Sequence, residues 1–214
     1  MTVGTQDRRE REKEQRKQLI RACAQEIFRH KGFGGTTIRD LAQACELATG
    51  TIYLYYRDKN ELLADLLVEG HELLLDELRQ ALAAAGPEQQ WEKLIDVFFR
   101  FAAIHPEHFE LMFFVVQREG YGVLDVVPKR SPTHHRLQEQ QQECLRLAAL
   151  ALRDSIPTLD DQTAALTSEA AWSMLAGVVY FFRKEGQEIF EPVAQQAKNI
   201  LRGYVTATVA ASSS

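Results

Sequence analysis

Five residues within positions 49–55, Thr49, Gly50, Thr51, Tyr53 and Tyr55, combine hydroxyl groups with one residue that has no side chain. Hydroxyls donate hydrogen bonds to phosphate oxygens without adding much charge, and small residues let a backbone approach a nucleic acid closely. The elements that must position them lie in Thr36 to Leu63, TTIRDLAQACELATGTIYLYYRDKNELL. Thr37-x-x-Asp40 is a capping-box start for one short helix that buries Ile38, Leu41 and Ala42. A tight turn follows at Cys45 to Leu47. A second helix is predicted from about Thr49 to Tyr56, with Ile52 and Tyr56 inward. Asp58 then caps a long helix from Lys59. This is the pattern of a helix-turn-helix that lays its second helix in a major groove.

At these residues the chain resembles the TetR family of one-component transcription regulators. The shared features are TTIRDLA, then Gly50-Thr51-Ile52-Tyr53, Tyr55-Tyr56 and Lys59-x-Glu61-Leu62, over roughly residues 15 to 65. The resemblance implies that Thr49 and Gly50 meet base edges and that Thr51, Tyr53, Leu54 and Tyr55 meet phosphates or bases. It also implies phosphate contacts by Lys59, at a helix N-terminus, and by Thr37, with Arg39 a further backbone-contact candidate. Two positions depart from the family pattern. Glu46 stands in the turn where the family usually has Gly, which invites a left-handed backbone penalty. Ala48 stands where a Ser-like cap is usual, and Thr49 is the alternative cap.

Charge is divided along the chain. Residues 1–60 carry 12 Lys and Arg against 8 Asp and Glu, while residues 61–214 carry 13 against 22, for an overall net charge of -5. A basic head on an acidic body suits a head that meets phosphate. In the first helix, Arg8, Arg9, Arg11, Lys13, Arg16 and Lys17 interleave with Glu10, Glu12 and Glu14. Contact with DNA and a solvated helix laced with ion pairs are both open readings there.

The expected domains are 1–60, the helix-turn-helix head, and 61–214, a ligand-binding and dimerisation domain. Helical periodicity recurs throughout without a strand pattern or internal repeat, so the fold class is all-α with about nine helices. Gly32 stops the first helix, Gly86-Pro87 the fourth, and residues 119–133 read as a loop. No segment approaches 18 apolar residues, the N-terminus lacks an apolar signal core, and three widely spaced cysteines suggest neither disulfides nor zinc. A cytoplasmic protein with no membrane association is expected.

Six of the eleven Phe fall between Phe98 and Phe114. A bundle this aromatic suits an apolar ligand cavity, although ordinary core packing uses the same pattern. The candidate ligand-binding residues are Leu67, His71, Phe98, Phe101, Phe109, Met112, Phe113, Val116, Gln117 and Trp172. His105-x-x-His108 has metal-ligand spacing, but no carboxylate or Cys completes a set, so no metal and no cofactor are indicated. Small residues beside large ones in the last two helices allow close helix approach, either across a dimer interface, with Ala170, Leu175, Gly177, Val178, Ala194, Ala197 and Leu201 as candidates, or inside one subunit. In the resembled family these helices make a four-helix interface.

The functional expectation is a homodimeric repressor that binds a palindromic double-stranded DNA operator and is released by a small, largely apolar effector. The alternative is an effector-independent DNA-binding or architectural protein with a solid aromatic core. No GxSxG, HExxH, P-loop or dinucleotide-binding turn occurs, so an enzyme is disfavoured.

Overall fold

The computed structural model describes residues 5–115, 127–129, 131–182 and 190–212. Among these residues there are nine α-helices, one π-helical turn and no strand, in agreement with the all-α reading. No described helix is long and apolar enough to cross a membrane. The chain divides into two compact units, one of Met1–Gly70 with Glu107–Leu137, the other of His71–Pro106 with Gln138–Ser214.

The first unit is organised by α1 (Thr5–Lys31), which buries Ile20, Ala24 and Phe28 at successive helical turns. Gly32 ends it with a left-handed φ of 77°, a conformation that costs glycine little. Phe33 then folds back and meets the Phe28 ring edge-on at 5.3 Å, as its place after the glycine predicts. Helices α2 (Ile38–Ala44) and α3 (Thr49–Tyr53) follow. The long α4 (Lys59–Ala84) starts where predicted, with the Asp58 carboxylate accepting from the Glu61 N–H at 2.8 Å. Its first turns bury Leu62, Leu63, Leu66 and Leu67.

Helix α6 (Pro106–Glu110) passes into a π-helical turn, Leu111–Val115, where the periodicity predicts an α-helix through Arg118. Leu111 and Met112 are both buried there. Gly70 permits this approach, since a Cβ on it would stand 2.7 Å from Met112 Sδ. His108 anchors α6 to α1 through a 2.9 Å hydrogen bond between its Nε2 and Gln25 Nε2, and lies 3.6 Å from Glu69 of α4.

The second unit contains the rest of α4, α5 (Pro87–Ile104), most of α7 (Pro132–Ser155), α8 (Asp161–Phe182) and α9 (Phe190–Ser212). Pro87 occupies the first turn of α5, where its missing N–H would have no partner in any case. Phe98 and Phe101 of α5 are fully buried, and Phe98 meets Trp172 of α8 edge-on at 4.8 Å. Ion pairs rim this core: Arg100 with Glu77 at 3.0 Å, Lys198 with Asp96 at 2.9 Å, and Arg202 with Glu92.

Candidate nucleic-acid interface

The turn between α2 and α3 is closed by backbone. The Leu47 N–H donates to Ala42 at 2.8 Å and the Glu46 N–H to Gln43 at 3.1 Å, the paired bonds of a Schellman motif. That motif requires a left-handed residue at Glu46, whose φ is 55°. A side chain bears a conformation that glycine takes freely, so the strain anticipated from sequence is present.

Helix α3 begins at Thr49, with Ala48 at the cap position and no side-chain cap bond. The alternative cap at Thr49 is therefore not used. The helix ends at Tyr53, three residues before its predicted end at Tyr56. The N–H groups of Tyr55 and Tyr56 both turn to the Ile52 carbonyl, each at 3.0 Å, and this tightening halts the regular α-helix. Ile52 and Tyr56 are buried as predicted. On the other side Thr49 and Gly50 are exposed, Tyr53 is 56% and Leu54 80% exposed, and Thr51 and Tyr55 are half-buried. A Cβ added at Gly50 would meet nothing within 4 Å, so packing within the chain does not require a glycine there.

The inward side is pinned by a polar network. The Tyr56 hydroxyl donates to Asp65 Oδ2 at 2.7 Å, and Arg21 donates to the same oxygen at 3.2 Å. Arg21 also pairs with Glu14 at 2.7 Å and Glu69 at 3.5 Å. Burial, and then the bond to Asp65, push the Tyr56 phenol up, so it remains a neutral donor. Burial works against the Arg21 charge, but Glu69, Glu14 and Asp65 outweigh it and hold the guanidinium pKa above its usual value. Cys45 is a buried core residue. Burial and the neighbouring Cys23 push its thiol up to about 12.

Two residues assigned to phosphate contact are engaged elsewhere. The Lys59 ammonium donates to the carbonyls of Phe33 at 2.7 Å, Thr36 at 3.0 Å and Gly34 at 3.3 Å, and lies 4.4 Å from the centroid of the Phe33 ring. An ammonium has three protons, and all three have acceptors, so Lys59 clamps the loop before α2 to the start of α4. Thr37 forms the predicted capping box: its hydroxyl accepts from the Asp40 N–H at 3.2 Å and donates to Asp40 Oδ2 at 2.7 Å. Lys31, 2.8 Å away, and then Thr37 hold the Asp40 carboxyl well below the usual range. Arg39 is exposed.

The expected ligand-binding residues are distributed over both units. In the first, Leu67, Phe109 and Met112 are buried, and Phe109 stacks on Phe113 at 4.5 Å. In the second, His71, Phe98 and Phe101 are buried and Trp172 is half-buried. Val116 and Gln117 lie outside the described residues.

The expected dimer residues also separate. Leu175, Ala194, Ala197 and Leu201 are buried within the second unit, the packing inside one subunit that the same small-beside-large pattern allows. Ala170 is exposed, Gly177 and Val178 are half-buried, and a Cβ on Gly177 would meet nothing within 4 Å. The exposed apolar side chains are instead Leu166, Tyr180 and Phe181 of α8 with Ile200 and Tyr204 of α9. Helical spacing alone could identify an apolar stripe, but not which stripe the subunit core takes. The Tyr56–Asp65–Arg21 network was missed for a related reason, since Arg21 and Asp65 are 44 positions apart and no local pattern joins them.

Residues 20–66 match the family described as bacterial regulatory proteins, tetR family. Along 195 residues, 89% of this chain and 90% of the relative, the sequence is 25% identical to the HTH-type transcriptional repressor KstR2 of Mycolicibacterium smegmatis. It is 27% identical to the probable HTH-type transcriptional regulator YttP of Bacillus subtilis over 89 residues, a match spanning only 43% of that relative's length. The fold resembles a TetR-family transcriptional regulator from Bordetella parapertussis, with a TM-score of 0.73 and 21% identity, over 86% of this chain and 92% of the other. These relatives are regulators, not enzymes.

Proposed function

We propose that this chain, a member of the TetR family of DNA-binding transcriptional regulators, is a homodimeric repressor whose two heads read successive major grooves of a near-palindromic operator. In this reading residues 1–60 are the reading head and residues 61–214 the ligand-binding and dimerisation domain. Thr49 and Gly50 approach base edges, while Thr51, Tyr53, Leu54, Tyr55 and Arg39 meet backbone or bases. The observation that carries the reading is the two-sided character of α3 and the residues just after it: Ile52 and Tyr56 are buried while Thr49, Gly50, Tyr53 and Leu54 are exposed. A helix so anchored presents its outer row rigidly, and Gly50 has no internal packing duty. Thr37 and Lys59 act by shaping the head.

Repression is favoured by the relative named as a repressor. The dimer is formed by the exposed apolar side chains of α8 and α9, together with Ala170, Gly177 and Val178, since several large apolar side chains left exposed on two neighbouring helices suit an association site. A small, largely apolar effector acts through the aromatic residues of the helical body and releases the DNA by favouring a spacing of the heads that no longer fits.

Selection of duplexes from a random library by the purified protein tests this. Enrichment of a two-fold symmetric site, bound by a dimer at micromolar protein, is the expected result. Failure to enrich any sequence at low salt would rule the reading out.

A further inference from the structure

We propose that the N-terminal turns of α1 form a second contact with the same DNA, in which Arg9, Lys13 and Arg16 grip backbone phosphates flanking the segment read by α3. The proposal rests on the DNA-binding reading above and extends it to residues that the helix-turn-helix pattern does not include.

Three observations carry it. First, Arg9, Lys13 and Arg16 stand at i, i+4 and i+7 of one helix, so they form a single stripe. Second, the ion pairs of this helix sort its charges. Arg8 pairs with Glu12 at 2.8 Å, Arg11 donates to the Asp7 carbonyl at 3.2 Å, and Glu14 is taken by Arg21 at 2.7 Å. Arg9, Lys13 and Arg16 are exposed and have no ion pair with a described residue. The interleaved acids thus leave this stripe positive. Third, the stripe lines one open groove of about 450 Å³ whose other walls are Glu12, Leu54 and Tyr55. The groove therefore joins the unpaired cations to the C-terminal end of α3. Glu12 is the one acid within it, and Arg8 offsets its charge.

A polyanion that touched the outer row of α3 would continue into this groove. Its chemistry suits phosphodiester oxygens rather than base edges: long cationic side chains reach without fixed geometry, and a tyrosine hydroxyl adds a neutral donor. The contact strengthens binding and raises its salt dependence without selecting sequence, because each neutralised phosphate adds about 0.9 to the slope of log K against log salt.

The test uses the full-length protein and the duplex that the wild type enriches from a random library, made in two lengths, one ending at the enriched bases and one extended by several base pairs on each side. Arg9→Gln, Lys13→Gln and Arg16→Gln together are expected to lower the salt slope by about 2–3 per protomer. They should also abolish the advantage of the longer duplex and leave the selected sequence unchanged. Lys13→Gln alone should lower the slope by about one, while Arg11→Gln, on the opposite side of the same helix, leaves it unchanged. Far-UV circular dichroism verifies that the variants remain helical. An unchanged slope in the triple variant, or equal losses from Arg11→Gln and Lys13→Gln, overturns this proposal and leaves the DNA-binding reading standing. If the wild type enriches no duplex, both fall together.

Discussion

Tyr56 donates its phenolic hydrogen to Asp65 Oδ2 at 2.7 Å, and the same oxygen accepts from Arg21. One carboxylate of α4 thus holds the residues just after α3 against α1. The orientation of α3 depends on this shared acceptor as well as on the burial of Ile52. Tyr56→Phe removes one donor and leaves Asp65 with Arg21. The head is expected to lose about 1.5–3 kcal/mol, the range for a bond to a charged partner. Urea denaturation of the variant measures it, and a change below a few tenths of a kcal/mol would show that the bond contributes little.

Glu46 adopts a φ of 55° in the turn. Glu46→Gly removes the left-handed penalty but raises the entropy of the unfolded chain, so the two effects oppose one another. A penalty of about 1–2 kcal/mol against an entropic cost of about 0.4–1 kcal/mol leaves a net gain in stability. A lower melting temperature for the variant would contradict this account of the turn.

At Gly50 an added Cβ finds open space within the protein. Gly50→Ala is therefore expected to keep or raise helix stability, since alanine exceeds glycine by about 0.8–1 kcal/mol in a helix interior. DNA affinity should nevertheless fall about tenfold or more, a cost of about 1.4 kcal/mol, because the methyl group occupies the approach to the bases. Wild-type affinity in a stable variant would remove Gly50 from the interface.

Lys59 separates structural from phosphate roles. With its three donors on the carbonyls of Phe33, Gly34 and Thr36, Lys59→Met should destabilise the head by about 1–3 kcal/mol. Measured where the variant is fully folded, its salt slope for DNA should equal that of the wild type. A slope lowered by about one would instead assign Lys59 to a phosphate.

Glu69 supplies a pH dependence. The His108 imidazole 3.6 Å away chiefly, with Arg21 adding, holds its carboxyl below the ordinary value of 4.5, against a smaller opposing effect of burial. A lowered folded-state pKa means that the stabilisation is fully present above the unfolded value and is lost as pH falls through the folded one. Stability should therefore decline below about pH 4.5, less steeply in Glu69→Gln than in wild type. Parallel acid limbs for the two proteins would exclude Glu69 as a contributor.

Local order in this protein was legible in its residues. The Thr37–Asp40 capping box, the stop at Gly32, the start of α4 after Asp58 and the inward placement of Ile52 and Tyr56 all follow from hydrogen bonds or helical turns spanning a few positions. The strain at Glu46 was implied by the family resemblance, which puts Gly at this turn position, and the Schellman geometry gives the physical reason for its φ. The tertiary structure decided where interchangeable groups are spent. Lys59 has the chemistry of a phosphate ligand, yet three carbonyls 23 to 26 positions away claim its protons. Leu175 and Leu166 are alike in type, yet one enters the core and the other faces outward. Arg9 and Arg16 are the same residue type as Arg8, yet Arg8 has a carboxylate within reach and they have none among the described residues. A charge or an apolar side chain carries no label of its partner, and only the packed chain determines which neighbours reach it first.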